Sequence, residues 1–112
     1  MLDGMTSNLE RYMDLLSARQ KVVASNIANA DTPGYKTQDV DFQFEFMTLA
    51  KGERPQTIQA QGLAEKTDGN NVNLDREARL LGETDLRFNI ASQLVRNEIK
   101  SIRSAIDEGR NG

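Results

Sequence analysis

The sequence predicts a mainly α protein with long heptad helices at both ends, packing on each other as a coiled-coil layer, around an irregular middle segment holding one short helix or strand. Three observations predict it. Leu2, Leu9, Leu16, Val23 and Ala30 stand seven residues apart, and so do Leu74, Leu81, Phe88, Val95 and Ile102. Between these columns, residues 31–73 hold both prolines and Gly34, Gly52, Gly62 and Gly69. The chain thus divides into an N-terminal helix (1–30), a turn and middle segment (31–73) and a C-terminal helix (74–112), expected to form one structural unit in which the helices pair.

In the first helix, Met5, Tyr12, Arg19 and Asn26 follow the leading column by three places, completing an a/d seam that runs to about Asn29. Thr32-Pro33-Gly34-Tyr35 ends it: proline pushes Thr32 out of the helical region and presets the next turn position, and Gly34 accepts the positive φ of a type II turn. Asn26 and Asn29 have two readings, as local caps for the open helix-end carbonyls or, with the turn, as a contact surface for a neighbouring chain.

In the middle, Val40, Phe42, Phe44 and Phe46 alternate as in a strand, while Phe42, Phe46, Leu49 and Ala50 trace a helical face. The helical reading is preferred, from Asp41 to Lys51, capped by Asp39 or Asp41 and stopped by Gly52. The polar run 52–71 reads as a flexible loop with a brief extended piece around Thr57 to Gln61. The second helix is expected over 74–108, capped by Asn71 or Asn73, with Asp75 and Glu77 favourable in its first turn and Gly109 as its stop. Gly82 marks either a close helix approach or a bend.

A two-helix hairpin buries only one face of each helix, so the terminal helices are expected to be ordered chiefly by packing on other copies or other chains. Arg19, Asn26 and Glu98, on or beside the seam, fit residues that trade stability for register and partner choice, or simply the edge of a drifting stripe.

Composition removes whole classes of function. With no histidine and no cysteine there is no usual zinc site, no Ser-His-Asp or Cys-His nucleophile and no disulfide framework. A net charge of −3 argues against an electrostatic nucleic-acid binder. Charges at Asp3, Glu10, Arg11, Asp14, Arg19 and Lys21 leave no uncharged run suited to a secretory signal, and no stretch has the length and apolarity of a membrane span, so no direct membrane insertion is expected. Asp39, Asp41 and Glu45 form the densest acidic cluster. It reads as a solvated rim or helix cap rather than a Mg²⁺ site or a carboxylate acid/base pair. Asp68-Gly69-Asn70 begins like a calcium loop, but Val72 stands where a ligand belongs and Glu77 comes too early. No catalytic, cofactor-binding or metal-binding residues are assigned.

The segment Ser25-Asn-Ile-Ala-Asn-Ala-Asp-Thr-Pro-Gly-Tyr-Lys36 resembles the N-terminal signature of the bacterial flagellar rod, hook and hook-associated axial proteins. Its residues Asn26, Asn29, Asp31, Thr32, Pro33, Gly34 and Tyr35 carry the match. A second segment, Asp68 to Glu77, resembles the basal-body rod members of that family through Asp68, Gly69, Asn70, Asn73, Asp75, Arg76 and Glu77. The resemblance implies a non-catalytic building block of the periplasmic rod, with no cofactor. Its terminal helices would form an inner coiled-coil layer around an export channel, and the shaft would carry torque from motor to hook. Implied partners are other copies, other rod proteins, the adaptor between rod and MS ring, and the flagellar type III export apparatus, which delivers subunits without cleavage. The implied assembly seam is Leu2, Met5, Leu9, Tyr12, Leu16, Val23, Leu81, Phe88, Val95 and Ile102. The alternatives are a small cytoplasmic coiled-coil adaptor or export chaperone, using the same stripes as a helix-in-groove ligand, and a minor carboxylate enzyme.

Overall fold

The computed structural model describes residues 2–48 and 54–111. Two helices dominate it: α1, Leu2–Ala28, and α3, Leu74–Asn111. They run antiparallel, since Asn26 meets Glu77 while Gln20, further back along α1, meets Asp85, further on along α3. Between them lie strand β1 (Gln38–Val40), helix α2 (Phe42–Thr48) and strand β2 (Thr57–Gln59). The body is elongated, 71 × 25 × 18 Å.

The heptad pattern forms the helix pair, but with a shifted seam. On α1, Leu15, Leu16 and Val23 are fully buried, with Ala30 just beyond the helix end, and Leu9 and Tyr12 are half-buried. Met5, on the same stripe, is exposed, and the Leu2 side chain lies outside the described residues. On α3 the expected column Leu81, Phe88, Val95 and Ile102 is only half-buried, and Leu74 is exposed. The innermost column is instead Glu77, Thr84 and Ala91, also seven apart. The shift has a steric reason. At Thr84 and Ala91 the side chains are small, so the helices approach closely and larger apolar groups flank the line of contact, while at Glu77 the carboxylate enters that line to meet Asn26.

The short middle elements are fixed by local chemistry. Asp41 starts α2: its carboxylate accepts the Phe44 N–H at 3.3 Å, and its carbonyl accepts the Glu45 N–H at 2.9 Å. The helical reading of Phe42 and Phe46 holds, because both rings meet Tyr12 of α1 edge-on, with centroids at 5.4 and 6.4 Å. Leu49, Ala50, Lys51 and the proposed stop Gly52 lie outside the described residues. The extended piece expected around Thr57 to Gln61 is β2. It pairs antiparallel with β1, Asp39 opposite Ile58, and the Ala60 N–H extends the ladder to the Thr37 carbonyl at 2.9 Å.

Two expectations about α3 are corrected. The helix continues through Gly109, since one glycine costs only about 1 kcal/mol in a helix. Gly82 marks no close approach, because a Cβ there would meet nothing within 4 Å. From Arg103 to Arg110 every residue is exposed, so the last turns of α3 extend as a single helix.

Truncating Leu16 to alanine should lower unfolding stability by about 2–5 kcal/mol, while Leu86→Ala, at a side chain 60% exposed, should change it by less than about 0.5 kcal/mol. Urea titration followed by helix circular dichroism reads both.

Candidate functional site: the joint between the two signature segments

The two signature segments, more than thirty residues apart in sequence, are hydrogen-bonded to each other. Their joint begins where α1 ends. Asn29 closes the last turn by donating its side-chain amide to the Ser25 carbonyl at 2.8 Å, and its own side-chain oxygen accepts the Thr32 hydroxyl at 3.0 Å. Pro33 and Gly34 then form the expected turn: Gly34 has φ +75°, and the Tyr35 N–H reaches the Thr32 carbonyl at 3.2 Å.

The second segment fits into this end. Asn70, fully buried, donates its amide to the carbonyls of Asn29 and Thr32 at 2.9 and 2.8 Å, a second donor from across the chain for carbonyls that already accept the Thr32 and Tyr35 N–H groups. The Asn70 side-chain oxygen accepts the Val72 N–H at 2.9 Å. The Gly34 N–H donates to the Asp68 carbonyl at 2.9 Å, and the Asn71 N–H to that of Tyr35 at 3.3 Å. Gly69, at φ +86°, lies against Gly34; a Cβ on it would sit 3.5 Å from the Gly34 Cα. Lys66 reaches the Ala30 carbonyl at 3.0 Å, and Lys36 binds the Gly69 carbonyl and Glu65.

One layer further in, Asn26 and Glu77 are both fully buried. The Asn26 amide donates to Glu77 Oε1 at 2.6 Å and to the Gln38 carbonyl at 2.8 Å, and its oxygen accepts the Tyr35 hydroxyl at 2.9 Å and the Gln38 N–H at 3.0 Å. Toward β1, the carboxamide therefore bonds both backbone groups of Gln38, as a neighbouring strand residue would. Glu77 is also bound by Arg76, which bridges to Asp39 at 3.3 Å, and Asp39 in turn pairs with Arg19 at 3.1 Å. Two arginines and two carboxylates alternate, so the buried charges are each opposed.

Residues 13–36, from within α1 through the turn, match the family described as "Flagella basal body rod protein". The flagellar basal body rod protein FlgB of Escherichia coli K12 is 30% identical, with 97% of this chain and 99% of the relative covered. The chain belongs to the FlgB family of flagellar basal body rod proteins. FlgB of Borrelia hermsii is also 30% identical, covering 86% of this chain and 90% of the relative, and FlgB of Bacillus subtilis is 24% identical over 98% of both chains.

In this FlgB-family chain, Asn26, Asn29, Thr32, Gly34, Tyr35, Asp68, Gly69, Asn70 and Glu77 meet in the joint, and Pro33 and Asp31 stay exposed on its turn. Asn73 caps α3 by accepting the Arg76 N–H at 3.0 Å, and Asp75 pairs with Arg79 one turn on. The cap reading fits Asn29 but not Asn26, whose amide reaches β1 and α3 instead of its own helix end. Asn71, the other candidate cap, receives the N–H and hydroxyl of the fully buried Thr37 at 2.6 and 2.8 Å. Thr37, Lys66 and Gln38 were not singled out by sequence. No local pattern marks them, since their partners lie on other segments.

The acidic cluster disperses. Asp39 faces the arginines, Asp41 caps α2, and Glu45 accepts the Gln56 N–H at 2.9 Å. Among the described residues no group of three or more His, Cys, Asp or Glu side chains is placed to hold a metal ion. An open cleft of about 490 Å³ lies between the three helices, walled by Tyr12, Leu16, Phe42 and Phe46 and rimmed by Arg19, Glu83 and Arg87. A hydrogen bond to Tyr12, with Glu83 adding to it, raises the Arg87 pKa further above its ordinary value.

Asn70→Ala removes the cross-chain donor from two carbonyls at once and should cost about 1–3 kcal/mol of unfolding free energy, whereas the exposed Asp31→Ala should change it by less than about 0.5 kcal/mol. Thermal and urea unfolding of the two variants make the comparison.

Proposed function

We propose that this chain is a subunit of the proximal rod, assembling with copies of itself and with other rod proteins into the tubular shaft that carries motor torque to the hook and surrounds the export channel. The observation that carries this reading is the apolar surface left on the helices. Leu86, Ile90 and Leu94 lie on successive turns of α3 and are 60, 53 and 49% exposed, and Ile99 and Ile106 continue the apolar surface toward its end. Such a surface needs neighbours to be covered. A head-to-tail contact repeated with a rotation that does not close gives a helical tube, and the stiffness required for torque comes from many contacts per subunit rather than from reactive side chains.

On this reading the subunit is not an enzyme. It lies in the periplasmic part of the basal body, reached through the type III export apparatus without signal cleavage, and its inner end meets the adaptor that joins rod to MS ring. The seam residues Leu9, Leu16, Val23, Phe88, Val95 and Ile102 hold the helices as one layer, and the joint fixes that layer to the outer middle segment. The cytoplasmic adaptor alternative is not favoured by membership of a rod protein family.

A deletion strain complemented with the Pro33→Ala, Gly34→Ala double variant should lose swarming motility and rod assembly, because the turn that positions the joint is removed. Full motility would refute the structural role. In the dilute purified chain, amide exchange should be fast at the outer ends of α1 and α3 and slow on assembly; two fully protected terminal helices in the monomer would refute completion of the core by neighbours.

A further inference from the structure

We infer that Asn26 and Glu77 form the register lock of the α1–α3 pair, a positioning device distinct from the apolar seam that holds the helices together. Leu9, Leu16, Val23 and Ala30 repeat every seven residues on one partner, and Leu81, Phe88, Val95 and Ile102 do so on the other. A slip by one heptad, about 10 Å along the axis, brings aliphatic groups opposite aliphatic groups again. Apolar burial therefore discriminates weakly between registers.

Asn26 and Glu77 discriminate strongly. Both are fully buried at the inner line of contact, 2.6 Å apart, and Asn26 uses its two donors and both oxygen positions on partners from α3, β1 and the turn. A slip of seven toward the α3 interior sets Asn26 against Thr84, and leaves the Glu77 carboxylate without the amide that meets it. The carboxylate keeps Arg76, its neighbour on α3, but a fully buried charge that loses a hydrogen-bond partner is still far more costly than a changed aliphatic contact. The bonds of the joint, Gly34 to Asp68 and Asn70 to Asn29 and Thr32, fasten the segment before α3 to the end of α1, and the buried pair is the part of this alignment that lies on the helices themselves. Thr84 and Ala91, small groups on the same inner column, allow the close approach without specifying it.

The chain has no cysteine, so spin labels can be placed only where introduced. Asn8→Cys and Arg79→Cys, both exposed, label the two helices at different heights, so that a heptad slip changes their separation by close to its full length. In that background, pulsed electron paramagnetic resonance on the full chain should give one narrow distance. With Asn26→Leu and Glu77→Leu together, helix content should persist while the distance splits, a second population appearing shifted by about 10 Å. Glu77→Gln, which keeps size and an acceptor for the Asn26 amide, should retain the single distance. A single unshifted distance in the Leu/Leu variant overturns the lock. So does loss of helix there, which would make the pair a source of stability instead of register, and so does a split in the Glu77→Gln chain.

Discussion

The carboxamide of Asn26 is where three parts of the chain have to agree. Its amide is shared between a carboxylate on α3 and a backbone carbonyl on β1, and its oxygen between the turn tyrosine and a β1 backbone N–H. A buried side chain with every hydrogen-bonding position used tolerates no displacement of its partners. The angle at which α1 meets the sheet, the depth of Tyr35 and the height of Glu77 follow from that one group. Around it, the Arg19–Asp39–Arg76–Glu77 alternation spreads the same constraint over charged side chains that would be costly to bury singly.

From this point the rest of the fold divides by kind of force. Apolar burial supplies attraction along the helices, through Leu15, Leu16, Val23 and Ala91, and says little about alignment. Polar satisfaction supplies alignment, concentrated where α1 ends and α3 begins. There, carbonyls at the end of α1 and in its turn meet the amide of Asn70 and the ammonium of Lys66. The separation suits a subunit whose outer helix faces are left for neighbours: internal geometry is set by hydrogen bonds, and the apolar surface of α3 remains available for assembly.

What the sequence made legible was local. Heptad columns gave the two helices, Thr32-Pro33-Gly34 gave the turn, and Asp41 gave the start of α2. Each depends on residues within a few positions of one another. The burial of Glu77 was not legible, because a glutamate in the first turn of a helix reads equally well as a partner of the helix dipole. Asn70 was legible as part of a resemblance and Asn71 as a candidate cap, but not in the roles they take, since the carbonyls and the threonine they serve lie over thirty residues upstream. Thr57 to Gln61 read as a brief extended piece in a loop, and only the pairing of Thr57–Gln59 with β1 makes a strand there. The closest α3 column, Glu77, Thr84 and Ala91, was not legible because hydrophobicity marks large apolar side chains, while that line holds small and polar ones.

The joint also ties Thr37 to Asn71 and Gly34 to Asp68, so that everything between is a loop with fastened ends. For a loop closed in this way, doubling the length adds only about 0.6 kcal/mol of closure entropy. Segment length thereby becomes uncoupled from helix geometry. The alignment with the Escherichia coli relative spans 137 positions against a chain of 112 residues, so family members differ in length. Residues gained or lost between those fastened ends leave the two helices in step, so the outer shape of a subunit can change there without disturbing the shaft it belongs to.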